Sequence, residues 1–277
     1  MLPTVAIQGF EGSFHQIAAR HYFGPTALTA PCATFGEVVR QVGSGTASHG
    51  LMAIENSIAG SILPNYNLLR KAGLRVTGEV YLQIRQHLMA LPGQQLEDIQ
   101  EVHSHPMALL QCADFLNQHG HWRLVETEDT ALSAQRIREG LRAGTAAVAG
   151  KLAAELFDLE ILGKDIHSEK KNYTRFLVVA RPENAAAVAQ PNKASLYFHT
   201  THAQGSLAQV LIRIADQGIN LSKLQSFPIP AKTWHYYFHA DLEFDDPAQL
   251  EAALREMKPV TEGLEVLGVY HKGVTHK

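Results

Sequence analysis

Short apolar runs separated by segments of helical periodicity fill the first two thirds of the chain. The run at residues 5–7 precedes a segment in which Phe14, Ile17, Ala18 and His21 share one helical face. Further apolar runs predict buried strands at residues 50–54, 122–125, 146–150 and 177–180. Strands that alternate with helices in this way predict an α/β architecture with mainly parallel strands.

Polar side chains follow four of the predicted strands at the point where a helix begins. These junctions lie at residues 9–13, 55–61, 104–106 and 129–130. Ligands of open α/β sheets bind outside the carboxyl ends of the strands. Polar groups repeated at this position therefore predict a single cleft lined by several junctions.

A fifth polar stretch, Asn172-Tyr173-Thr174-Arg175-Phe176, leads directly into the apolar run at residues 177–180. An amide, a hydroxyl and a guanidinium held at the end of a buried strand favour a ligand site. The local pattern alone also permits a structural role, because Thr is a good strand former and Arg at a strand edge is usually solvated. The four junctions favour the ligand site, since they provide a cleft that this stretch can face.

The pattern changes after residues 183–192, which show little periodicity and predict a linker. Beyond the linker the elements follow the order βαββαβ of a ferredoxin-like unit. We expect a catalytic domain at residues 1–182, with a second lobe over roughly residues 77–158, and a separate domain at residues 193–277. The last domain is too small for an enzyme cleft of its own and suits a paired ligand-sensing module.

Composition narrows the possible partners. Lys and Arg total 24 against 27 acidic residues, so the concentrated basic face that duplex binding needs is not expected, nor is a nucleic-acid partner. Cys32 and Cys112 are isolated and predict neither a disulfide framework nor a zinc site. The histidines lack a convincing set of companion ligands, so no metal is expected. Without a leader pattern or a membrane-length apolar stretch, we expect a soluble cytoplasmic protein with no membrane partner.

In their order along the chain, these motifs resemble those of monofunctional prephenate dehydratase over nearly the full length. The resemblance rests on residues 9–14, 54–57, 104–106, 111–112 and 172–176. The tail is similar to an ACT domain through residues 205–207 and 219–221, although Gln225 and Phe227 stand where the ACT strand usually has Glu and Arg. Phe10 and Ala53 replace prolines that are usual in the family. No chorismate mutase helices precede Val5, so we expect the monofunctional form.

The resemblance implies a two-lobed, periplasmic-binding-protein-like (type II) catalytic domain joined to a βαββαβ ferredoxin-like ACT domain. It implies loss of the ring carboxylate and the C4 hydroxyl of prephenate, which gives phenylpyruvate, CO2 and water without metal or organic cofactor. L-phenylalanine is expected as a feedback effector, and a homodimer or homotetramer as the assembly. Two alternatives stay open: an arogenate dehydratase, and a non-catalytic solute-binding or sensor protein.

The resemblance also assigns roles to residues. Thr174 is the catalytic threonine, and we expect its hydroxyl to hydrogen-bond the departing oxygen as charge develops. Arg175 offers a guanidinium fork to a substrate carboxylate, or alternatively anchors its strand through an ion pair. The other expected substrate contacts are Ser13, Glu55, Asn56, Ser57, Ser104, His105, Gln111, Thr130 and Asn172. The expected effector contacts are Gly205, Ser206, Leu207, Asn220 and Leu221.

Two of these side chains carry competing interpretations. His105 has an ordinary pKa near neutrality and would suit a general acid, but its place before Pro106 also suits a helix cap. Glu55 would suit an acid or a structural hydrogen-bond acceptor.

Overall fold

The computed structural model describes residues 4–229 and 232–276. Residues 1–3, 230–231 and 277, which fall in the two domains predicted from the sequence, lie outside the described residues. The chain forms two compact units. The first contains the chain up to Ile62, Val80–Phe176 and the chain from Thr275. The second contains Leu63–Glu79 and Leu177–Val274. The domain limits predicted at residues 182 and 192 remain predictions.

Helices and strands alternate through most of the chain. The helices are α1 (Phe14–Phe23), α2 (Phe35–Ser44), α3 (Leu63–Ala72), α4 (Pro106–Gln111), α5 (Ala113–Leu116), α6 (Thr130–Gly140), α7 (Lys151–Leu156), α8 (Ser206–Ala215) and α9 (Pro247–Met257). The strands are β1 (Thr4–Gln8), β2 (Leu28–Cys32), β3 (His49–Asn56), β4 (Gly60–Ser61), β5 (Arg75–Gln83), β6 (His87–Ala90), β7 (Glu101–Ser104), β8 (Arg123–Glu126), β9 (Thr145–Ala149), β10 (Glu160–Gly163), β11 (Tyr173–Ala180), β12 (Lys193–His199), β13 (Asn220–Pro228), β14 (Tyr236–Glu243), β15 (Glu262–Tyr270) and β16 (Thr275–His276). None of the helices in the described part of the chain has the length and apolar character needed to cross a bilayer.

The first sheet has the strand order β16-β5-β11-β3-β1-β2, with β4 paired to β3. Strand β1 lies parallel to both neighbours, with Ala6 opposite Ala30 of β2 and Gly50 of β3. The late strand β11 is inserted between β3 and β5, which is the arrangement of the type II two-lobed fold. The sheet together with α1 and α2 is called the first lobe below.

The second lobe contains the sheet β10-β6-β9-β7-β8 and spans residues 87–163. Strand β7 is parallel to β8 and β9, whereas β6 is antiparallel to β9 and β10. The core of this lobe includes Val102, Cys112, Trp122 and Val148. The expected continuous helix after Pro106 is interrupted at Cys112, whose φ of −107° is not helical. The type II two-lobed α/β prediction is confirmed.

The second compact unit contains the predicted ferredoxin-like element order, β12-α8-β13-β14-α9-β15. Its antiparallel sheet has the order β13-β14-β12-β15. Apolar side chains of α8 and α9, among them Val210, Ile214 and Ala253, pack with Leu196 and Leu242 of the sheet. This confirms the βαββαβ prediction.

Four strands were not predicted from the sequence: the two-residue strands β4 and β16, and the longer strands β2 and β10. Strand β2 is short, contains Pro31 and lies at the sheet edge, where a missing backbone N–H is tolerated. Strand β10 also lies at an edge and has an irregular register between Ile161 and Gly163. Both owe their structure to a neighbouring strand, because their own patterns are too weak to specify one.

Candidate active site

A cavity of about 310 Å³ lies in the first compact unit and is lined by both lobes. This volume is at the lower end of the range for small-molecule sites, about 300–1,000 Å³. All four predicted polar junctions reach its wall, through Ser13, Asn56, His105 and Thr130. Thr174 and Gln111 also line it. The structure therefore brings six of the expected site residues to one cavity.

Asn56 is the centre of a hydrogen-bond network beneath this cavity. Its Oδ1 accepts from the backbone N–H groups of Ile58 and Ala59 at 3.0 and 2.9 Å, which fixes the orientation of the amide. The Nδ2 group of Asn56 donates to Asn172 Oδ1 at 2.7 Å and to Thr174 Oγ1 at 3.1 Å. Thr174 Oγ1 is thereby an acceptor from Asn56, so its own proton is available to a molecule in the cavity.

Asn172 does not line the cavity and instead connects two residues that do. It is fully buried, accepts from Asn56, and donates through Nδ2 to Gln111 Oε1 at 3.1 Å. Gln111 ends α4 of the second lobe. The bond consequently ties the two lobes of the first compact unit together next to Thr174.

Arg175 points away from the cavity that Thr174 and Phe176 line. Alternate residues of a strand face opposite sides of the sheet, so Thr174 and Phe176 share a face that excludes Arg175. The guanidinium is buried and lies 5.9 Å from the centre of the Tyr81 ring. Arg175 is therefore not among the residues that line this cavity, and its expected contact with a substrate carboxylate stays a prediction.

Three other expected contacts lie outside the cavity wall, and two of them hold the backbone near it. Ser57 Oγ donates to the carbonyl of Lys171 at 3.0 Å and accepts from the N–H of Tyr173 at 2.9 Å. Ser104 is fully buried and donates to the carbonyl of Val148 at 2.6 Å. Glu55 lies opposite Ser61 in the β3–β4 pair.

Three helices begin at the cavity wall, and each has a side-chain cap. Ser13 Oγ accepts from Gln16 N at 3.4 Å at the start of α1. His105 Nδ1 accepts from Met107 N at 3.2 Å at the start of α4, so the cap interpretation of His105 describes its observed contact. At the start of α6, Asp129 is the cap. Helix N-termini present free N–H groups and a positive dipole end, which favour an anion.

Several residues of the cavity wall were not among the predicted site residues, and three of them have polar side chains described below. His15 is packed between Phe35 and Phe176, with ring centres 5.5 and 5.0 Å away, and burial lowers its pKa to about 4. Burial raises the pKa of Asp129 from its ordinary value, although its Oδ1 accepts from Leu132 N at 2.9 Å. The position of Asp129 beside the junction residue Thr130 was the signal that would have found it.

Gln86 is the third of these residues. It is 3% exposed, and its Oε1 has no hydrogen-bond partner among the residues the structure describes. It follows β5, where the chain crosses from the first lobe to the second. The cavity wall therefore contains a buried amide oxygen without a hydrogen-bond partner among the described residues.

Apolar and uncharged groups dominate the rest of the wall. Phe14, Phe35, Ile84 and Phe176 form an aromatic and aliphatic surface. Among the described residues that line the cavity, none is Lys or Arg. An anion bound here would be held by helix N-termini and neutral donors.

The expected effector residues lie in the second compact unit and are only partly brought together. Ser206 and Leu207 line a cavity of about 120 Å³. Gly205 precedes α8 with a φ of +78°, a conformation that favours glycine. Asn220 is exposed, and Leu221 packs against the core of the unit.

Phe227 belongs to the core of the second compact unit. It is buried, and its ring stacks on Tyr237 with centres 5.0 Å apart. The neighbouring Gln225 donates to the carbonyl of Ser226 at 3.1 Å. The two departures from the usual ACT strand are thus accommodated by local contacts.

Comparison with known proteins gives a consistent result. The family described as Prephenate dehydratase matches residues 5–184. A bifunctional chorismate mutase/prephenate dehydratase of Aquifex aeolicus is 34% identical over 272 residues, which cover 98% of this chain and 74% of that protein. A bifunctional N-acyl-homoserine lactone acylase/prephenate dehydratase of Komagataeibacter europaeus is 34% identical over 268 residues, covering 96% of this chain and 95% of that protein.

Two solved structures are also similar to nearly the whole chain. A structure described as "GqqA- a novel type of quorum quenching acylases" has a TM-score of 0.87 and 32% identity, and the match covers 97% of this chain and 98% of that one. The prephenate dehydratase of Arthrobacter aurescens in complex with L-Phe has a TM-score of 0.84 and 25% identity, with 97% and 90% covered.

Proposed function

The chain belongs to the prephenate dehydratase family of hydro-lyases, and from this premise we propose that its cavity converts prephenate to phenylpyruvate, CO2 and water. The reaction removes a ring carboxylate and the C4 hydroxyl, and formation of an aromatic ring drives it. The protein must hold a dianion, assist departure of the hydroxyl oxygen and leave one carboxylate without a fixed cation. A non-catalytic solute-binding role finds no support in these relatives.

The observation that carries the proposal is the contact between Asn56 and Thr174. Because Asn56 Nδ2 donates to Thr174 Oγ1, the threonine proton is directed to another acceptor. Thr174 Oγ1 is in the cavity wall, so that acceptor is the departing C4 oxygen. The hydroxyl stabilises the negative charge that develops there as the bond to carbon breaks.

The rest of the cavity suits the two carboxylates and the ring. The N-terminus of α1, with Ser13, binds the carboxylate that is retained. The ring lies against Phe14 and Phe176. Since no Lys or Arg is among the described lining residues, the carboxylate that leaves is not neutralised, and a low-dielectric wall favours its loss.

Residues outside the cavity wall support this arrangement. We assign Asn172 to positioning, because it holds Asn56 and Gln111 at once. Arg175 is assigned to holding its strand against Tyr81. His105 is assigned to capping α4.

Substitution of Thr174 tests the proposal directly. Thr174→Ser keeps the hydroxyl and should retain turnover, whereas the nearly isosteric Thr174→Val should lower kcat by about 10²-fold. Phenylpyruvate formation from prephenate is followed by absorbance, and phenylalanine formation from arogenate is followed in parallel by chromatography. Near-normal turnover of Thr174→Val would remove the hydroxyl from the mechanism, and faster turnover of arogenate would assign the chain that substrate.

We also propose that L-phenylalanine regulates the enzyme through an ACT domain formed by the ferredoxin-like unit. The Arthrobacter aurescens structure is described as a complex with L-Phe, and its match covers 97% of this chain. In this chain Ser206 and Leu207 line a small cavity in that unit. Phenylalanine should raise the Tm of the full chain, change prephenate turnover and favour a dimer or tetramer in size-exclusion chromatography. An unchanged Tm and turnover at saturating phenylalanine would contradict regulation.

The proposal does not include an acylase activity, although two of the matched proteins are described as acylases. Ser195, His239 and Asp241 have the composition of a hydrolase triad and are fully buried. In a triad the histidine stands between the serine and the carboxylate. Here Asp241 Oδ1 lies 2.5 Å from Ser195 Oγ and 3.0 Å from His239 Nε2, so the carboxylate stands between them.

A further inference from the structure

Helix α1 also borders a second, larger cavity in the first compact unit, of about 600 Å³. Its apolar wall contains Phe14, Ile17, Leu82 and Leu152. Phe14 and Ile17 belong to the first lobe, and Leu152 belongs to α7 of the second. A molecule in this cavity would therefore touch both lobes and also Phe14, which lines the candidate active site.

Cationic side chains distinguish this cavity from the candidate active site. Arg20, Arg85 and Lys151 line it. Lys151 is paired with Glu155 at 2.8 Å, and Arg85 donates to Gln83 Oε1 at 3.0 and 3.1 Å. The Nε of Arg20 is buried and has no hydrogen-bond partner among the described residues. Because this atom makes no bond to a described side chain, the positive charge of Arg20 remains available to an anionic ligand through the guanidinium groups that line the cavity.

Two histidines of the wall add little positive charge at neutral pH. The pKa of His21 is lowered mainly by burial and, to a smaller extent, by the nearby His276. Burial also lowers the pKa of His87 in spite of the opposing effect of Asp165. The positive character of the cavity therefore comes from its arginines and lysine, of which Arg20 has the unpaired donor.

We propose that this cavity binds an amphipathic carboxylate. The acid group accepts hydrogen bonds from Arg20, whose planar fork matches a carboxylate. The body of the ligand is apolar and fills the space between Phe14, Ile17 and Leu152. The volume, about twice that of the candidate active site, favours a body larger than a single ring. This site is independent of the proposed reaction, since binding requires neither Thr174 nor turnover.

Isothermal titration calorimetry of the full chain with 2-naphthoate tests the proposal without measuring activity. One molecule should bind per chain, and the neutral analogue 2-naphthalenemethanol should bind about tenfold more weakly, because it lacks the charge that pairs with Arg20. Arg20→Gln should weaken 2-naphthoate binding by about tenfold. The matched variant Arg40→Gln, on the exposed face of α2, should leave the affinity unchanged.

Leu152→Trp fills the apolar part of the cavity and should abolish 2-naphthoate binding while the dehydratase activity is retained. Circular dichroism melts establish that each variant is folded, and a folded Arg20→Gln alone suffices for the charge test. Equal affinity for the acid and the alcohol, or unchanged 2-naphthoate affinity in both Arg20→Gln and Leu152→Trp, would overturn the proposal. In that case any bound naphthoate occupies another cavity.

Discussion

Asn56 donates a hydrogen bond from Nδ2 to Oγ1 of Thr174 at 3.1 Å, and this single contact sets the direction of the threonine proton. The same amide accepts two backbone hydrogen bonds through Oδ1, so it cannot turn over without losing both. The donor role of Asn56 is therefore built into the loop after β3.

Replacement of Asn56 by Asp separates the donor from the acceptor function of the side chain. The carboxylate keeps the bonds from Ile58 and Ala59 but cannot donate, so Thr174 would donate to it and lose its proton for substrate. We expect kcat to fall by about 10²-fold, and Tm to fall as well because the bond to the buried Asn172 is lost. Steady-state kinetics and calorimetry measure both, with the exposed Asn117→Asp as the control. A kcat near that of the parent would show that the orientation of the Thr174 proton is unimportant.

Arg175 provides a second test, because its buried guanidinium lies over Tyr81 and not in the cavity. Lys keeps the charge but loses the planar group, so Arg175→Lys should cost about 1 kcal/mol of stability. The KM for prephenate should stay unchanged. Thermal unfolding and kinetics are measured on the same preparation. A large rise in KM with an unchanged Tm would return Arg175 to substrate binding.

The cavity could be located from the sequence because its walls follow strands. Each polar junction follows a strand, and parallel pairing brings two junctions to one edge of each sheet, after β1 and β3 in the first lobe and after β7 and β8 in the second. Successive side chains of a strand point to opposite faces of the sheet, so the sequence alone places Thr174 and Arg175 on opposite faces. His15 could not be identified in the same way. Its position in the wall depends on packing against Phe35 and Phe176, which lie far from it in sequence.

Edge strands mark the limit of the pattern for the fold. Leu28 of β2 is 53% exposed, so the strand shows neither a buried run nor a clean alternation. Its structure comes from pairing with β1, where Ala30 lies opposite Ala6. The pattern of apolar and polar positions reflects which residues are buried. An exposed edge strand has few buried residues, so its pattern is weak.

A buried charge network in the second compact unit predicts a strong stability effect. Lys193 is 1% exposed and lies 2.9 Å from Glu79 and 3.2 Å from Glu243. Lys193→Met leaves Glu79 buried without this cation and should lower the free energy of unfolding by about 3–5 kcal/mol.

Chemical denaturation measures the loss caused by Lys193→Met. The double variant Lys193→Met/Glu79→Leu removes both charges and should recover much of the loss, because the cost arises from the buried Glu79 carboxylate after loss of its cation. Arg255→Met, at an exposed position of α9, is the control for loss of a cation. A single variant as stable as the parent would show that the network contributes nothing.

His15 makes stability depend on pH. Burial lowers its folded-state pKa from 6.5 to about 4, so between these values the unfolded chain binds a proton that the folded chain does not. Stability rises with pH wherever the unfolded state binds more protons, so this group destabilises the fold progressively as pH falls from 6.5 towards about 4. His15→Phe keeps an aromatic ring between Phe35 and Phe176 and removes the titration.

The expected result is a smaller drop in Tm between about pH 7 and about pH 5 for His15→Phe than for the parent. Calorimetry in buffers of equal ionic strength measures the two Tm values, and the exposed His271→Phe controls for loss of a histidine elsewhere. Because the group is neutral in the folded protein near neutral pH, the variant should not lose stability there through a missing charge. If Tm depends on pH in the same way in the parent and in His15→Phe, His15 is solvated. The conclusion that its imidazole is enclosed in the cavity wall would then be wrong.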